Sequence, residues 1–125
     1  KPTLISKEKF EEFKNNLTGN YFFIIYYGYT RKYPILIFEV KDQDKAKSFN
    51  QEWEKLSMKD DLKTLFLFTK PPETNNKFIT KEFKKFSYRI LDFGNNFQII
   101  WSSINNIIIY SSTEDGIKEI LSFLK

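Results

Sequence analysis

Glu52, Glu54, Asp60 and Asp61 crowd around Trp53 in the segment KSFNQEWEKLSMKDDLKTLFLF (residues 47–68). Carboxylates at this density can do two kinds of chemistry. A pair held across a cleft, one of them with a raised pKa, serves as general acid and base at a glycosidic bond. A loop of alternating acids around a central Gly holds a hard cation through oxygen. The spacing fits neither. Adjacent side chains such as Asp60 and Asp61 diverge on a helix or a strand. Glu52 and Glu54 do not share a helix face, and the segment has no Gly. The expectation is a helix whose acids form a solvated rim, with Trp53 on its apolar stripe.

Other catalytic chemistries lack their residues. The chain has no Cys and no His. That removes thiolate nucleophiles, disulfides, thiolate and imidazole metal ligands, and the commonest general base. There is no Gly-rich phosphate loop and no nucleophile elbow. Ser and Thr hydroxyls would need activation by Lys, which no spacing provides. No catalytic, cofactor-binding or metal-binding residue is assigned, and the expectation is a protein that is not an enzyme.

Two further clusters can bind rather than react. In KFITKEFKKFSYR (77–89), Lys77, Lys81, Lys84, Lys85 and Arg89 interleave with Phe78, Phe83, Phe86 and Tyr88. Such a basic patch with stacking rings can track single-stranded nucleic acid. Against this, Glu82 interrupts the run and no nucleic-acid-binding signature accompanies it. The net charge of +4 comes from eighteen Lys and two Arg against 16 acids, in a chain with one Ala, fifteen Ile and ten Asn. That profile follows A/T-rich codons, so the lysines read mainly as nucleotide bias, and base readout draws on Arg. Nucleic acid is the lesser alternative. In IYYGYTRKY (25–33), Tyr26, Tyr27, Tyr29 and Tyr33 surround Arg31 and Lys32 at a strand connection. Tyr and Arg are favoured interface anchors, which makes this the expected contact surface for a protein partner. The plainer reading is a loop whose rings cover the sheet edge.

The elements that must position these residues follow from periodicity. At 125 residues with fourteen Phe, seven Tyr and two Trp, the chain reads as one domain (1–125) with a ring-rich core. A first helix is expected from the Ser6 cap, with Phe10, Phe13 and Leu17 on one face and Gly19 as its C-terminal cap. YFFIIYYG (21–28) and PILIFEVK (34–41) read as strands, nearly continuous in apolar residues and so covered on both faces, at least in part. A second helix opens at Asp42 or Asp44, with Ala46, Phe49, Trp53 and Leu56 as its core stripe. On that stripe, Trp53→Ala should cost about 3–5 kcal/mol. TLFLF (64–68) reads as a strand, and 77–86 as an edge strand or a loop. A meander follows, SYRILDF, FQIIWSS and IIIYSS, turning at Gly94-Asn95-Asn96 and at Asn105-Asn106. Ser112-Thr113-Glu114-Asp115 carries a capping-box signature before a last helix striped by Ile117, Ile120, Leu121 and Leu124. The fold class is α+β, a mainly antiparallel sheet of about five to six strands with three helices in the order α-β-β-α-β-(β)-β-β-β-α. Phe49, Trp53, Leu56, Trp101, Ile109 and Ile120 are its expected core. Roadblock, longin and profilin-like domains share a comparable order.

The stretch YPILIFEVKDQDKAKSFNQEWEKLSMKDDLKTLF also resembles envelope proteins of ultrasmall, reduced-genome bacteria of the candidate-phyla type. Pro34, Ile35 to Phe38, Phe49, Trp53-Glu54, Asp61-Leu62 and Leu65-Phe66 carry the likeness, with Arg89-Ile90-Leu91 and Glu119-Ile120-Leu121 near the end. KSFNQ stands where that pattern has small residues and Met. The resemblance implies a location rather than a mechanism: a domain outside the cytoplasm, anchored by one membrane-spanning helix upstream of Lys1-Pro2. The leading expectation is a non-enzymatic, extracytoplasmic interaction or assembly domain with a protein partner, in contact with membrane only through that upstream segment. The runner-up is a cytoplasmic scaffold of profilin or roadblock type.

Overall fold

The first helix is stopped by an asparagine rather than by the glycine its sequence offers. The computed structural model describes residues 7–27, 32–57, 77–94 and 97–124. In it, α1 (Lys7–Asn15) gives way at once to β1 (Leu17–Tyr27). Asn16 is buried at the junction. Its side chain accepts from the Asp42 backbone N–H (2.8 Å) and donates to the Asp42 carbonyl (2.7 Å). Gly19, expected to cap the helix, lies inside β1 at φ +95°, where the register with the next strand shifts between Leu17 and Tyr21. A glycine fits that irregularity because it takes a positive φ without steric penalty. Ser6 lies outside the described residues.

From there the chain follows β2 (Lys32–Val40), α2 (Gln43–Ser57), β3 (Ile79–Phe83), β4 (Phe86–Gly94), β5 (Phe97–Ile104), β6 (Ile107–Ser111) and α3 (Glu114–Phe123). The strand expected at 64–68 lies outside the described residues. The ambiguous segment 77–86 does form an edge strand, β3. All neighbours are antiparallel, in the order β1-β2-β6-β5-β4-β3. The meander is as the turn residues require: Asn105 and Asn106 both take positive φ, 50° and 62°, between β5 and β6. Asp42 caps α2 by accepting from the N–H groups of Asp44 (2.9 Å) and Lys45 (3.1 Å). At α3 the capping box does not form. Thr113 occupies the cap position without a side-chain bond, and the N–H of Glu114, the first helical residue, is accepted by Gln98 Oε1 (3.3 Å).

Strand alternation sends successive residues to opposite faces. One face buries Ile35, Ile90, Ile100 and Ile109 under Ile117, Ile120 and Leu121 of α3. The other buries Leu91 and Trp101 against Phe78, with Trp53 packed on them, and Val40 and Ile108 under Ala46 of α2, with Phe13 of α1. Helices thus lie on both faces. Of the expected core, Trp101, Ile109 and Ile120 are buried, while Phe49 and Trp53 are only half-buried. Phe49 stacks on Phe13 (4.3 Å between centroids) and Trp53 meets Phe78 edge-on (6.2 Å). The Leu56 side chain lies outside those described.

Six strands spaced about 4.8 Å apart span roughly 24 Å, and a helix covers only about 10 Å of that width. With α3 over β2, β6 and β5, and α2 over β5, one side of the sheet is left open among the described residues. That side is β1. The apolar run 21–28 reads as covered on both faces, at least in part; of its described residues Tyr26 is covered, whereas Tyr21, Phe22, Phe23, Ile24, Ile25 and Tyr27 are exposed, between 36% and 69%.

Candidate functional site

The acid-rich helix places one carboxylate inside, not outside. The residues of α2 that face the sheet are Ala46, Asn50 and Glu54, all buried and four apart, so the buried row runs beside the apolar stripe rather than along it. Asn50 donates to the Ala46 carbonyl (2.8 Å) and accepts from the Tyr110 hydroxyl (2.6 Å). Glu54 was expected on the solvated rim. Its Oε2 accepts from Arg89 Nε (2.9 Å) and Trp101 Nε1 (2.7 Å), and its Oε1 from Arg89 Nη2 (2.7 Å). The forked guanidinium geometry and the indole N–H make the burial tolerable, since a carboxylate out of water needs its lone pairs filled. Those bonds also hold the Arg89 guanidinium above its ordinary pKa, against the effect of burial. Sequence periodicity misses this because it ranks positions by apolarity. The signal was on the partner strands: Trp101 and Tyr110 stand directly opposite in register, and two buried polar heads on one face require polar partners above them.

A cavity of about 500 Å³ opens between α2 and β3–β5, with Glu54, Arg89, Thr80, Lys47 and Gln51 in its wall. Among the described residues, Glu54 is the one acid in that lining. Acid–base work by paired carboxylates needs a second, and among the described residues no three metal-ligating side chains converge. Asp60 and Asp61 lie outside the described residues. What the arrangement does is clamp α2 to the sheet.

The basic run 77–89 is not brought together as a patch. Arg89 turns under α2, donating also to Thr80 Oγ1 (2.9 Å). Lys81 pairs with Glu114 at the start of α3 (3.2 Å), on the other face. Lys84 and Lys85 form the β3–β4 turn over the rings of Phe83 and Phe86, and Lys77 is exposed. The rings that would stack on bases are themselves used: Phe78, Phe86 and Tyr88 are buried. Tyr88 donates to Glu114. Burial, together with the bond to Glu114 and its charge, pushes the Tyr88 phenol well above its ordinary pKa. Burial works to raise Glu114 as well, but the bonds from Tyr88 and Lys81 and the Lys81 and Lys118 charges outweigh it, and its pKa is lowered.

The tyrosine cluster is divided differently. Tyr26 turns inward and packs against the α3-side core. Tyr27 is exposed with the Lys32 ammonium 5.3 Å above its ring, and Tyr33 is half-buried. Tyr29 and Arg31 lie outside the described residues. The exposed part is continuous with the rest of β1, so among the described residues the open surface is the strand itself. Among the described residues β1 has one neighbour, β2, leaving an outer row of backbone groups without a ladder. From Leu17 to Tyr27 the strand holds no charge and no Pro, and its one irregularity is confined to its first residues. Those are the devices by which edges are ordinarily protected. Among the described residues no helix is long and apolar enough to cross a membrane. Comparison with family models, curated proteins and solved structures finds no match.

Proposed function

We propose that this chain is a non-enzymatic interaction or assembly domain that docks to protein through the edge of its sheet. The observation that carries the proposal is β1: eleven residues long, uncharged, with exposed rings on both faces and, among the described residues, no strand along its outer edge. Large rings exposed on a rigid strand are the side chains interfaces favour, and an open ladder accepts a further strand by backbone bonding. The resemblance to envelope proteins adds the setting, a domain outside the cytoplasm tethered by a segment upstream. The polar cavity supports a structural role better than a reactive one, because its carboxylate is already held by Arg89 and Trp101.

The test is site-resolved photocrosslinking in cells making the full-length protein, with p-benzoylphenylalanine in place of Phe22 on β1 or of the exposed Glu119 on α3. Protein adducts at position 22 and none at 119 are expected. No adduct at 22, or equal yields at both, would refute docking through β1.

A further inference from the structure

The same strand carries information about what covers it, and this inference rests on the docking proposal above. We infer that the occupant is a second copy of this chain, with the two β1 strands paired antiparallel about Ile24. The segment Tyr-Phe-Phe-Ile-Ile-Tyr-Tyr (21–27) is almost the same read in either direction. An antiparallel dyad at Ile24 sets Tyr21 opposite Tyr27, Phe22 opposite Tyr26, Phe23 opposite Ile25, and Ile24 opposite itself. Every cross-strand pair is then aromatic with aromatic, aromatic with β-branched, or β-branched with itself. These are the pairings that stabilise antiparallel sheets, and no pair sets like charges together. A two-fold interface must be self-complementary, and this strand meets that demand at each position from 21 to 27.

Side-chain exposure and backbone chemistry point the same way. Exposures of 36–69% on four rings and two isoleucines leave roughly 600–800 Å² open on one copy, and pairing along the edge covers the part of each side chain that faces the partner strand. A lipid surface would cover those side chains but could not bond the outer N–H and C=O groups, which must be satisfied in an apolar medium. A second β1 satisfies those groups, sets each of the side chains beside a cross-strand neighbour, and joins two six-stranded sheets into one.

The geometry is register-specific, and the chain has no native cysteine to interfere. Ile24→Cys places two thiols directly opposite at the dyad. Tyr21→Cys places them six residues to either side of a partner, about 20 Å apart by strand rise, beyond the reach of a disulfide. Mild oxidation of purified protein should link Ile24→Cys at least ~10-fold faster than Tyr21→Cys, while the Tyr21→Cys/Tyr27→Cys double variant links readily. In sedimentation equilibrium the unsubstituted chain should approach twice its 15.1 kDa. Ile24→Lys, which sets two ammonium groups face to face, should return it to one copy with its circular dichroism unchanged. Equal linking at 21 and 24 overturns the inference, as does a monomer at concentrations up to about 200 µM, well above the Kd of a functional dimer. Such a monomer with Phe22-position adducts to a different protein would overturn self-pairing but leave docking through β1 standing. One that co-sediments with phosphatidylglycerol vesicles and gives no protein adducts would overturn both.

Discussion

Arg89→Met is the sharpest probe of the buried cluster beneath α2. It removes the guanidinium's two bonds to Glu54, whose side chain is 11% exposed and keeps the bond from the Trp101 N–H. Stranding one member of a buried pair costs about 3–5 kcal/mol. Glu54→Met is the milder change. Arg89 is 34% exposed, so it can reach water, and it keeps Thr80. The main loss is then the orphaned indole N–H, about 1–3 kcal/mol. Met at both positions removes both charges and fills the space with apolar volume, which in buried pairs is often close to neutral. The double variant should therefore be more stable than Arg89→Met alone. The coupling energy should be about 3–5 kcal/mol, because the double variant keeps only the orphaned-indole cost it shares with Glu54→Met, and it is read from urea unfolding followed by tryptophan fluorescence. Losses that simply add, or an Arg89→Met cost below about 1 kcal/mol, would show a solvated cluster that does not hold the helix.

Alkaline pH should destabilise the fold through two tyrosines. Burial, with Glu114 assisting at Tyr88 and Asn50 opposing at Tyr110, raises both phenols above their ordinary value of 10.0. The unfolded chain therefore releases protons that the folded one keeps. The associated stability is intact below about pH 10 and is lost as pH rises beyond it. Urea midpoints should fall more steeply between about pH 10 and 11.5 in the unsubstituted chain than in Tyr110→Phe, and equal slopes would refute the assignment. Gly116→Ala should not give the ~1 kcal/mol that alanine ordinarily adds to a helix. Its Cβ would meet Ser111 Oγ at 2.9 Å and Ile35 Cδ1 at 3.2 Å, so the melting temperature should fall, and a rise would show slack in the α3 packing. Trp53→Ala should cost about 2 kcal/mol in place of the 3–5 expected for an enclosed ring, because Trp53 is half-buried. Ile109→Ala, at a fully buried position, should cost more, about 3–4 kcal/mol, and the reverse order in thermal melts would invert the core assignment.

What the sequence made legible was set by local chemistry. The Asn105-Asn106 turn, the Asp42 cap and the alternation of the meander each act within a few residues, and each appears where those residues stand. Most of the failures are contests between local signals and distant ones. Gly19 is a good helix cap, but Asn16 ends the helix earlier because its side chain finds the Asp42 backbone 26 residues away. Thr113 has capping chemistry, but its side chain makes no cap bond, and the Ser111 hydroxyl instead accepts from the Thr113 N–H and donates to the Thr113 carbonyl. Glu54 is charged and therefore reads as exposed, until Arg89 and Trp101 are known to lie beneath it. The continuous apolar run of β1 reads as a covered strand, because no single-sequence pattern reports how wide a sheet is relative to its helices.

The two largest surprises are one physical fact. Gln43 accepts from the Asn106 N–H and donates to the Ser103 carbonyl, Asn50 holds Tyr110, and Glu54 holds Trp101 and Arg89. These bonds fix α2 at one place across the sheet, over β5 and β6. Sliding the helix two strands toward β1 would move it roughly 10 Å. It would cover about 200–300 Å² of exposed rings, a gain of about 5–8 kcal/mol. It would also uncover Trp101, Leu91 and Ile108, a loss of similar size, and leave each polar group of that row without its partner at about 1–3 kcal/mol apiece. The apolar terms nearly cancel and the polar terms decide. Hydrophobic burial alone would let α2 sit at either place; the inward polar row selects the one that keeps β1 open. The interior polarity of α2 and the exterior apolarity of β1 are therefore coupled, and a chain with Leu at 50 and 54 would lose the term that holds α2 away from β1.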